Sequence, residues 1–70
     1  MVGDILNNNI EILRKSKKIS QSELAETLGV TRQTISSLET GKYNPSIILA
    51  FKIANFFNLT IEEIFIYEGD

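Results

Sequence analysis

The stretch QSELAETLGVTRQTISSLET, residues 21–40, decides the fold of this chain. Apolar residues recur in it at helical spacing on both sides of Gly29, and glycine is the residue that most readily takes the backbone of a tight turn. The pattern predicts two short helices joined at Gly29, and the small Ala25 lets them approach closely. The inner apolar positions are Leu24, Leu28, Val30, Ile35 and Leu38.

The second helix of this pair has one face with an unusual composition. We expect it to span residues 31–39, with Thr31 as its cap and with Ile35 and Leu38 as its buried stripe. The opposite face is nearly uncharged and rich in hydrogen-bonding groups. Arginine pairs well with guanine, glutamine with adenine, and serine with either base, so this face suits base edges in a major groove. The candidate base-reading residues are Arg32, Gln33, Ser36 and Ser37.

Capping signals predict three further helices. A first helix follows Asn7–Asn9 and ends near Lys18, a fourth spans about 47–57, and a short fifth begins after Thr60. The capping-box sequences SQSE (20–23) and TIEE (60–63) mark the starts of the second and fifth helices. No convincing alternating strand is present, although Ile66 and Tyr67 could pair as a small strand in an extended tail. The sequence therefore predicts a single all-α, compact five-helix domain over residues 1–70.

The fourth helix is apolar on nearly every side. We expect Ile47, Ala50, Phe51, Ala54 and Phe57 to point inward. The apolar side chains left partly outside are Ile48, Leu49 and Phe56, and Ile66 and Tyr67 follow in the tail. Either the small core extends unusually far, or these five residues form a dimer interface in a C-terminal region of about 48–70, the reading we favour.

Composition excludes several classes of function. The chain has no cysteine and no histidine, which removes thiolate and imidazole nucleophiles, disulfides and most metal ligands. We therefore expect no catalysis, no metal and no cofactor, and nothing in the sequence points to a small-molecule ligand. No apolar run reaches the roughly 18 residues of a membrane span, and we expect a cytoplasmic protein with no membrane partner.

The net charge of −2 is unevenly distributed along the chain. Residues 1–60 carry all seven cations and five of the nine acidic residues, a net charge of +2, and the last ten residues carry the other four acidic residues. Salt screens charges that are more than about 8 to 10 Å apart, so the acidic end does not cancel the potential of the basic region. A polyanion can therefore still bind on the basic side.

Most of the chain, about residues 8–65, resembles the phage-repressor DNA-binding domain of the Cro/cI type, or XRE family. The matching stretches are LRKSKKISQSELAETLGVTRQTISSLETGKYNPS and AFKIANFFNLTIEEIF. The glycine, alanine, glutamine and apolar positions agree with the family in order and spacing, and the NPS turn follows them. The resemblance implies the five-helix fold, homodimers, and regulation of transcription through operator DNA.

Several residue roles follow from the resemblance alone. It places Gln21, Thr34, Lys42, Tyr43 and Asn44 on the DNA phosphates, and it assigns Arg14 and Glu39 to a structural ion pair. It also supports base reading by Arg32, Gln33 and Ser37, with Ser36 beside them. The sequence thus predicts a homodimeric repressor that binds a palindromic operator. The alternative is a protein-interaction module such as an antitoxin-like partner, which the apolar C-terminal region supports.

Overall fold

The computed structural model describes residues 5–68, which form five helices and a two-stranded sheet. The order is β1 (Ile5–Asn8), α1 (Ile10–Ser16), α2 (Gln21–Leu28), α3 (Arg32–Glu39), α4 (Ile47–Phe57), α5 (Ile61–Ile64) and β2 (Phe65–Glu68). The predicted five-helix fold is confirmed. The predicted domain covers residues 1–70, and its predicted C-terminal region covers about 48–70. Residues 1–4 and 69–70 lie outside the described residues, so the ends of these ranges are not described. Within residues 5–68, no helix is both long enough and apolar enough to cross a membrane.

Side-chain caps define the starts of α2 to α5 as predicted, whereas Asn9 at the start of α1 makes no side-chain cap hydrogen bond. The Ser20 hydroxyl accepts a hydrogen bond from the Glu23 N–H at 3.0 Å, and the Glu23 carboxylate accepts one from the Ser20 N–H at 2.8 Å. The same reciprocal pair opens α5 at Thr60. Each box satisfies two backbone donors that the first turn of a helix leaves without partners, which is why these short helices start where they do.

The small sheet joins the two ends of the described chain. β1 pairs with β2 in antiparallel register, from Ile5 opposite Glu68 to Asn8 opposite Phe65. The strand that Ile66 and Tyr67 could form is therefore present, and no sequence pattern indicated its partner β1. β1 is only four residues long and carries no alternating pattern, so only its distant partner makes it a strand.

The core lies between the helices, and α4 contributes to it with a face that only partly matches the prediction, since Ala50, Ala54 and Phe57 are buried as expected. The buried stripe of α4 is Leu49, Ala50, Ile53, Ala54 and Phe57. Ile47 and Phe51 are exposed and Leu49 is only 6% exposed, so the predicted positions of these three side chains are wrong. All residues of α4 except Lys52 and Asn55 are apolar, so its periodicity does not define an inner face. Packing of α4 against α2 and α5 defines which of its faces is the inner one.

Candidate nucleic-acid interface

The turn between α2 and α3 fixes the direction of α3. Gly29 ends α2 in the left-handed conformation, with φ at 76°, where a β-carbon would add strain. The Val30 N–H donates to the Ala25 carbonyl at 2.9 Å, which turns the chain back toward the inner side of α2. Thr31 then caps α3, since its hydroxyl accepts a hydrogen bond from the Thr34 N–H at 3.2 Å. The predicted helix pair and its turn are confirmed.

Two fully buried side chains decide which side of α3 faces outward. Ile35 and Leu38 lie one turn apart, and both are completely excluded from solvent. Because they hold one side of the helix against the core, the polar residues on its other side are turned toward the surface. These are the predicted base-reading residues: Arg32 and Gln33, which are exposed, and Ser36 and Ser37, which are half-buried.

The Gln33 side chain is held loosely on this face. Its Nε2 donates to the Ser37 hydroxyl one turn further along, at 3.4 Å. This length is beyond that of a strong hydrogen bond, and the amide keeps a second N–H donor and its oxygen acceptor for another partner. A side-chain amide that offers one donor and one acceptor matches the major-groove edge of adenine.

The loop after α3 lies beside the same face. The Lys42 N–H donates to the Ser37 carbonyl at 2.9 Å, and Gly41 takes a positive φ of 79° that directs the chain back along α3. One shallow groove is lined by Gln33, Thr34, Ser37, Lys42 and Tyr43. The structure therefore brings three predicted phosphate-contacting residues next to two predicted base-reading residues, and none of the five lining side chains is a carboxylate.

The two other predicted phosphate contacts lie in different surroundings. Asn44 is exposed in the loop that follows Tyr43. Gln21 is the first residue of α2, and its side chain is already bound: Nε2 donates to Glu39 Oε1 at 2.9 Å. One amide hydrogen of Gln21 is thus directed at α3, and the second hydrogen remains for an outside acceptor.

Arg14 completes this network from α1. Its Nε lies 2.7 Å from Glu39 Oε2, and the side chains of the pair are only 10% and 4% exposed. Its Nη1 donates to the Ile19 carbonyl at 2.9 Å. The hydrogen bond to Glu39 raises the pKa of the Arg14 guanidinium above its ordinary value. The ion pair that the resemblance assigns is therefore present, and it connects α1, the loop before α2, and α3.

Of the five residues predicted for a dimer interface, three are exposed and two are not. Leu49 belongs to the core, so the expectation that it points outward is wrong. Phe56 is half-buried: its ring packs edge-on against Phe57 with 4.9 Å between ring centroids, and the Lys17 ammonium lies 5.7 Å from its centroid. Ile48 on α4 is exposed, as are two residues of β2, Ile66 and Tyr67.

Sequence reasoning missed two exposed apolar residues of α4 and one polar link to α3. Ile47 and Phe51 point to solvent one turn apart; their (i, i+4) spacing places them on one side of α4 but does not indicate whether that side faces the core or the solvent. Asn8 donates from Nδ2 to the Leu38 carbonyl at 2.8 Å, which ties the end of β1 to the last turn of α3. No local sequence pattern indicates the hydrogen bond between Asn8 and Leu38.

Several known proteins are similar to this chain in sequence or in fold. A family model described as helix-turn-helix matches residues 10–64 of the chain. An uncharacterized HTH-type transcriptional regulator of Methanocaldococcus jannaschii is 52% identical over 65 residues, which cover 93% of this chain and 98% of that protein. The uncharacterized HTH-type transcriptional regulator YgzD of Bacillus subtilis is 43% identical with the same two coverages. Among solved structures, the restriction-modification controller protein C.AhdI of Aeromonas hydrophila has a TM-score of 0.70 at 29% identity, covering 79% of this chain and 80% of that chain.

Proposed function

The chain belongs to the helix-turn-helix family of DNA-binding transcriptional regulators, of the XRE type, and we propose that it represses transcription by binding a palindromic operator as a homodimer in the cytoplasm. One observation carries the proposal: the outer face of α3 presents hydrogen-bonding side chains beside a groove that contains Lys42 and no carboxylate. A basic, donor-rich surface on a protruding helix is what a major groove accepts.

Sequence discrimination is assigned to the outer face of α3. Arg32 donates from its guanidinium to the O6 and N7 of a guanine, and Gln33 pairs through its amide with the N6 and N7 of an adenine. Ser36 and Ser37 are half-buried and shorter, so they contact only bases that the first two residues bring close. In this arrangement, Arg32 and Gln33 account for most of the discrimination between operators.

Phosphate contacts hold α3 in register with the DNA. Gln21 donates its second amide hydrogen to a phosphate at the start of α2, where the positive end of the helix dipole also attracts an anion. Lys42, Tyr43 and Asn44 bind the backbone on the other side of α3, and Thr34 donates from its hydroxyl. Such contacts fix orientation and contribute affinity without reading sequence.

Pairing of two copies supports both specificity and repression. A single recognition helix reads only a few base pairs, whereas two copies related by a two-fold axis place their helices about 34 Å apart, on successive turns of the same DNA face. A dimer bound across a promoter excludes RNA polymerase sterically and needs no additional surface for this effect.

Selection of binding sites from random double-stranded DNA tests the proposal. We expect a two-fold symmetric consensus whose half-sites lie one helical turn, about 10 base pairs, apart. The matched control is the double variant Arg32→Ala/Gln33→Ala, which changes only exposed side chains and should select no consensus. A wild-type protein that enriches no sequence would overturn DNA readout and favour the protein-interaction module.

A promoter fusion separates repression from activation. With the selected site placed over a constitutive promoter, expression should fall when the protein is produced, and the double variant should leave it unchanged. Increased expression from the natural promoter that contains the site would show that the protein is an activator. The assignment of the DNA-binding interface would not change.

A further inference from the structure

We propose that Asn8 is a positioning residue for α3: its side-chain amide ties the small sheet to the last turn of the helix and thereby sets the direction in which α3 meets DNA. This role rests on the proposed function, since it concerns how α3 is held while it reads bases. Asn8 lies on β1, however, outside the residues assigned to DNA contact, so its role and the proposed function can fail separately.

The hydrogen bond between Asn8 and α3 is short and half-buried. Asn8 Nδ2 donates to the Leu38 carbonyl at 2.8 Å, a length typical of a strong bond. The Gly41 N–H donates to the same carbonyl at 3.1 Å, and the Lys42 N–H donates to the neighbouring Ser37 carbonyl at 2.9 Å. Asn8 therefore holds the part of α3 from which the loop proposed to contact phosphates departs.

The Asn8 side chain is itself fixed from the other side. Its Oδ1 accepts a hydrogen bond from the Ile10 N–H at 3.0 Å, at the start of α1. In the sheet Asn8 lies opposite Phe65, and the N–H of the next residue, Asn9, donates to the Ile64 carbonyl at 2.9 Å. Because both ends of the amide are bonded, the side chain keeps one orientation, and the sheet acts as a fixed support for α3.

This support complements the buried attachment of α3 at Glu39. The two contacts meet consecutive residues of α3 but come from opposite ends of α1, since Asn8 precedes its first turn and Arg14 lies in its last turn. A helix end that is held at one point can pivot about that point, whereas two separated supports prevent the rotation. A binding site has to hold its side chains within about 0.5 Å of the productive geometry, so the second support acts on sequence discrimination.

Asparagine meets two requirements at position 8. The side chain has to accept from a backbone N–H and donate to a backbone carbonyl at the same time, and a carboxylate of the same shape can only accept. Asn8→Asp therefore keeps the acceptor for the Ile10 N–H but removes the donor to the Leu38 carbonyl. The substitution breaks the link to α3 and preserves the link to α1.

Asn9 provides a control of the same chemistry at the next position. Its Nδ2 donates to the Glu63 carbonyl at 3.3 Å, so its amide is tied to α5 and not to α3. Asn8→Asp and Asn9→Asp each add one negative charge beside the first turn of α1, where the helix dipole favours an anion, and we expect both variants to fold. The comparison therefore separates the link to α3 from the added charge.

Discrimination between DNA sequences is the decisive measurement. Fluorescence anisotropy gives the ratio of the affinity for the selected operator to the affinity for random DNA. We expect Asn8→Asp to lower this ratio about 10-fold and Asn9→Asp to leave it within about 2-fold of the wild type. Affinity for random DNA should be alike in the two variants, because attraction to phosphates tolerates small rotations of a helix. Equal ratios in the two variants would overturn the inference.

Alanine variants and hydrogen exchange add readouts that do not depend on the added charge. Asn8→Ala should lower discrimination as Asn8→Asp does, and Asn9→Ala should not; loss of fold in both Asn8 variants, seen by circular dichroism, would overturn the inference. In the free protein, Asn8→Asp should speed exchange of the Gly41 and Lys42 amide hydrogens, which bond to the last turn of α3, but not that of Val30. Unchanged exchange at Gly41 and Lys42 would contradict the inference.

The outcomes separate the role of Asn8 from the proposed function. If the wild type selects a consensus and Asn8→Asp discriminates as well as Asn9→Asp, operator binding stands and Asn8 does not position α3. If the wild type selects no DNA sequence, operator binding fails, and with it any part of Asn8 in base reading.

Discussion

The third and fourth helices bury apolar stripes in the same core but expose faces of opposite chemistry. The outer side of α3 carries Arg32, Gln33, Ser36 and Ser37. The outer side of α4 carries Ile47, Ile48 and Phe51. Either outer face could be built from ordinary charged residues without loss to the core, because neither contributes to it. We propose that the outer face of α3 meets base edges and phosphates, which accounts for its hydrogen-bonding side chains.

The attachment of the two helices differs as well. α3 is held by Ile35 and Leu38 and, in addition, by the buried contact of Glu39 with Arg14 and Gln21. α4 contributes only apolar residues to the core. A helix that reads base edges has to keep its side chains in a fixed position, and hydrogen bonds to a buried carboxylate supply direction that apolar contacts lack.

The largest expected effect concerns this polar attachment of α3. Arg14→Ala leaves the Glu39 carboxylate nearly buried without its cation, and we expect the free energy of unfolding to fall by about 3 to 5 kcal/mol. Urea denaturation followed by circular dichroism measures the change. Lys15→Ala is the control, since the Lys15–Glu11 pair is exposed and screened by solvent, so its loss should change the free energy of unfolding little. Equal losses would mean that the Arg14–Glu39 pair acts as an ordinary surface pair.

A second prediction compares buried and exposed apolar residues on the two helices. Leu38→Ala removes a fully buried side chain of α3 and should lower the free energy of unfolding by about 2 to 5 kcal/mol. Ile47→Ala removes a similar volume from the outside of α4 and should change the stability of the monomer by about 0.5 kcal/mol or less. Measurements at protein concentrations below the dissociation constant of the proposed dimer isolate this effect. A large loss for Ile47→Ala there would show that its side chain packs within its own chain.

The individual helices and strands show how far the sequence predicts the fold. The starts of α2 and α5 and the turn at Gly29 were predictable, because capping and positive φ depend on residues within four positions of each other. The inner face of α4 was not, because a helix that is apolar on nearly every side takes its orientation from its neighbours. β1 was missed for a related reason: its partner lies about 60 residues away, beyond any local pattern.

The smallest expected effect separates base readout from phosphate binding on α3. Gln33→Ala should weaken binding to the selected operator by about 1 to 3 kcal/mol and leave binding to random DNA nearly unchanged, as measured by fluorescence anisotropy. Lys42→Ala should weaken both alike and reduce the slope of log affinity against log salt by about 1. If Gln33→Ala weakens operator and random DNA equally, Gln33 contacts the backbone and reads no base.

The candidate site was predictable to the extent that it lies on one helix. The outward position of Arg32 and Gln33 followed from the buried positions of Ile35 and Leu38. The contact of Gln21 with Glu39 was not predictable, because it joins the first residue of α2 to the last residue of α3 through side chains. Its geometry depends on the angle between the two helices, and residue spacing alone does not give that angle.

The most direct test of DNA reading by α3 is a nitrogen-15 NMR titration of the intact protein with its selected operator. We predict that the side-chain signals of Gln33 and Arg32 and the backbone signals of α3 and of residues 42–44 shift strongly. In the same experiment, signals from the outer side of α1 around Ile12 should stay unchanged. Random DNA of the same length should leave the Gln33 side-chain signal close to its free position. Shifts concentrated on α1 or β2, with α3 unaffected by the operator, would contradict the claim that the outer face of α3 reads DNA.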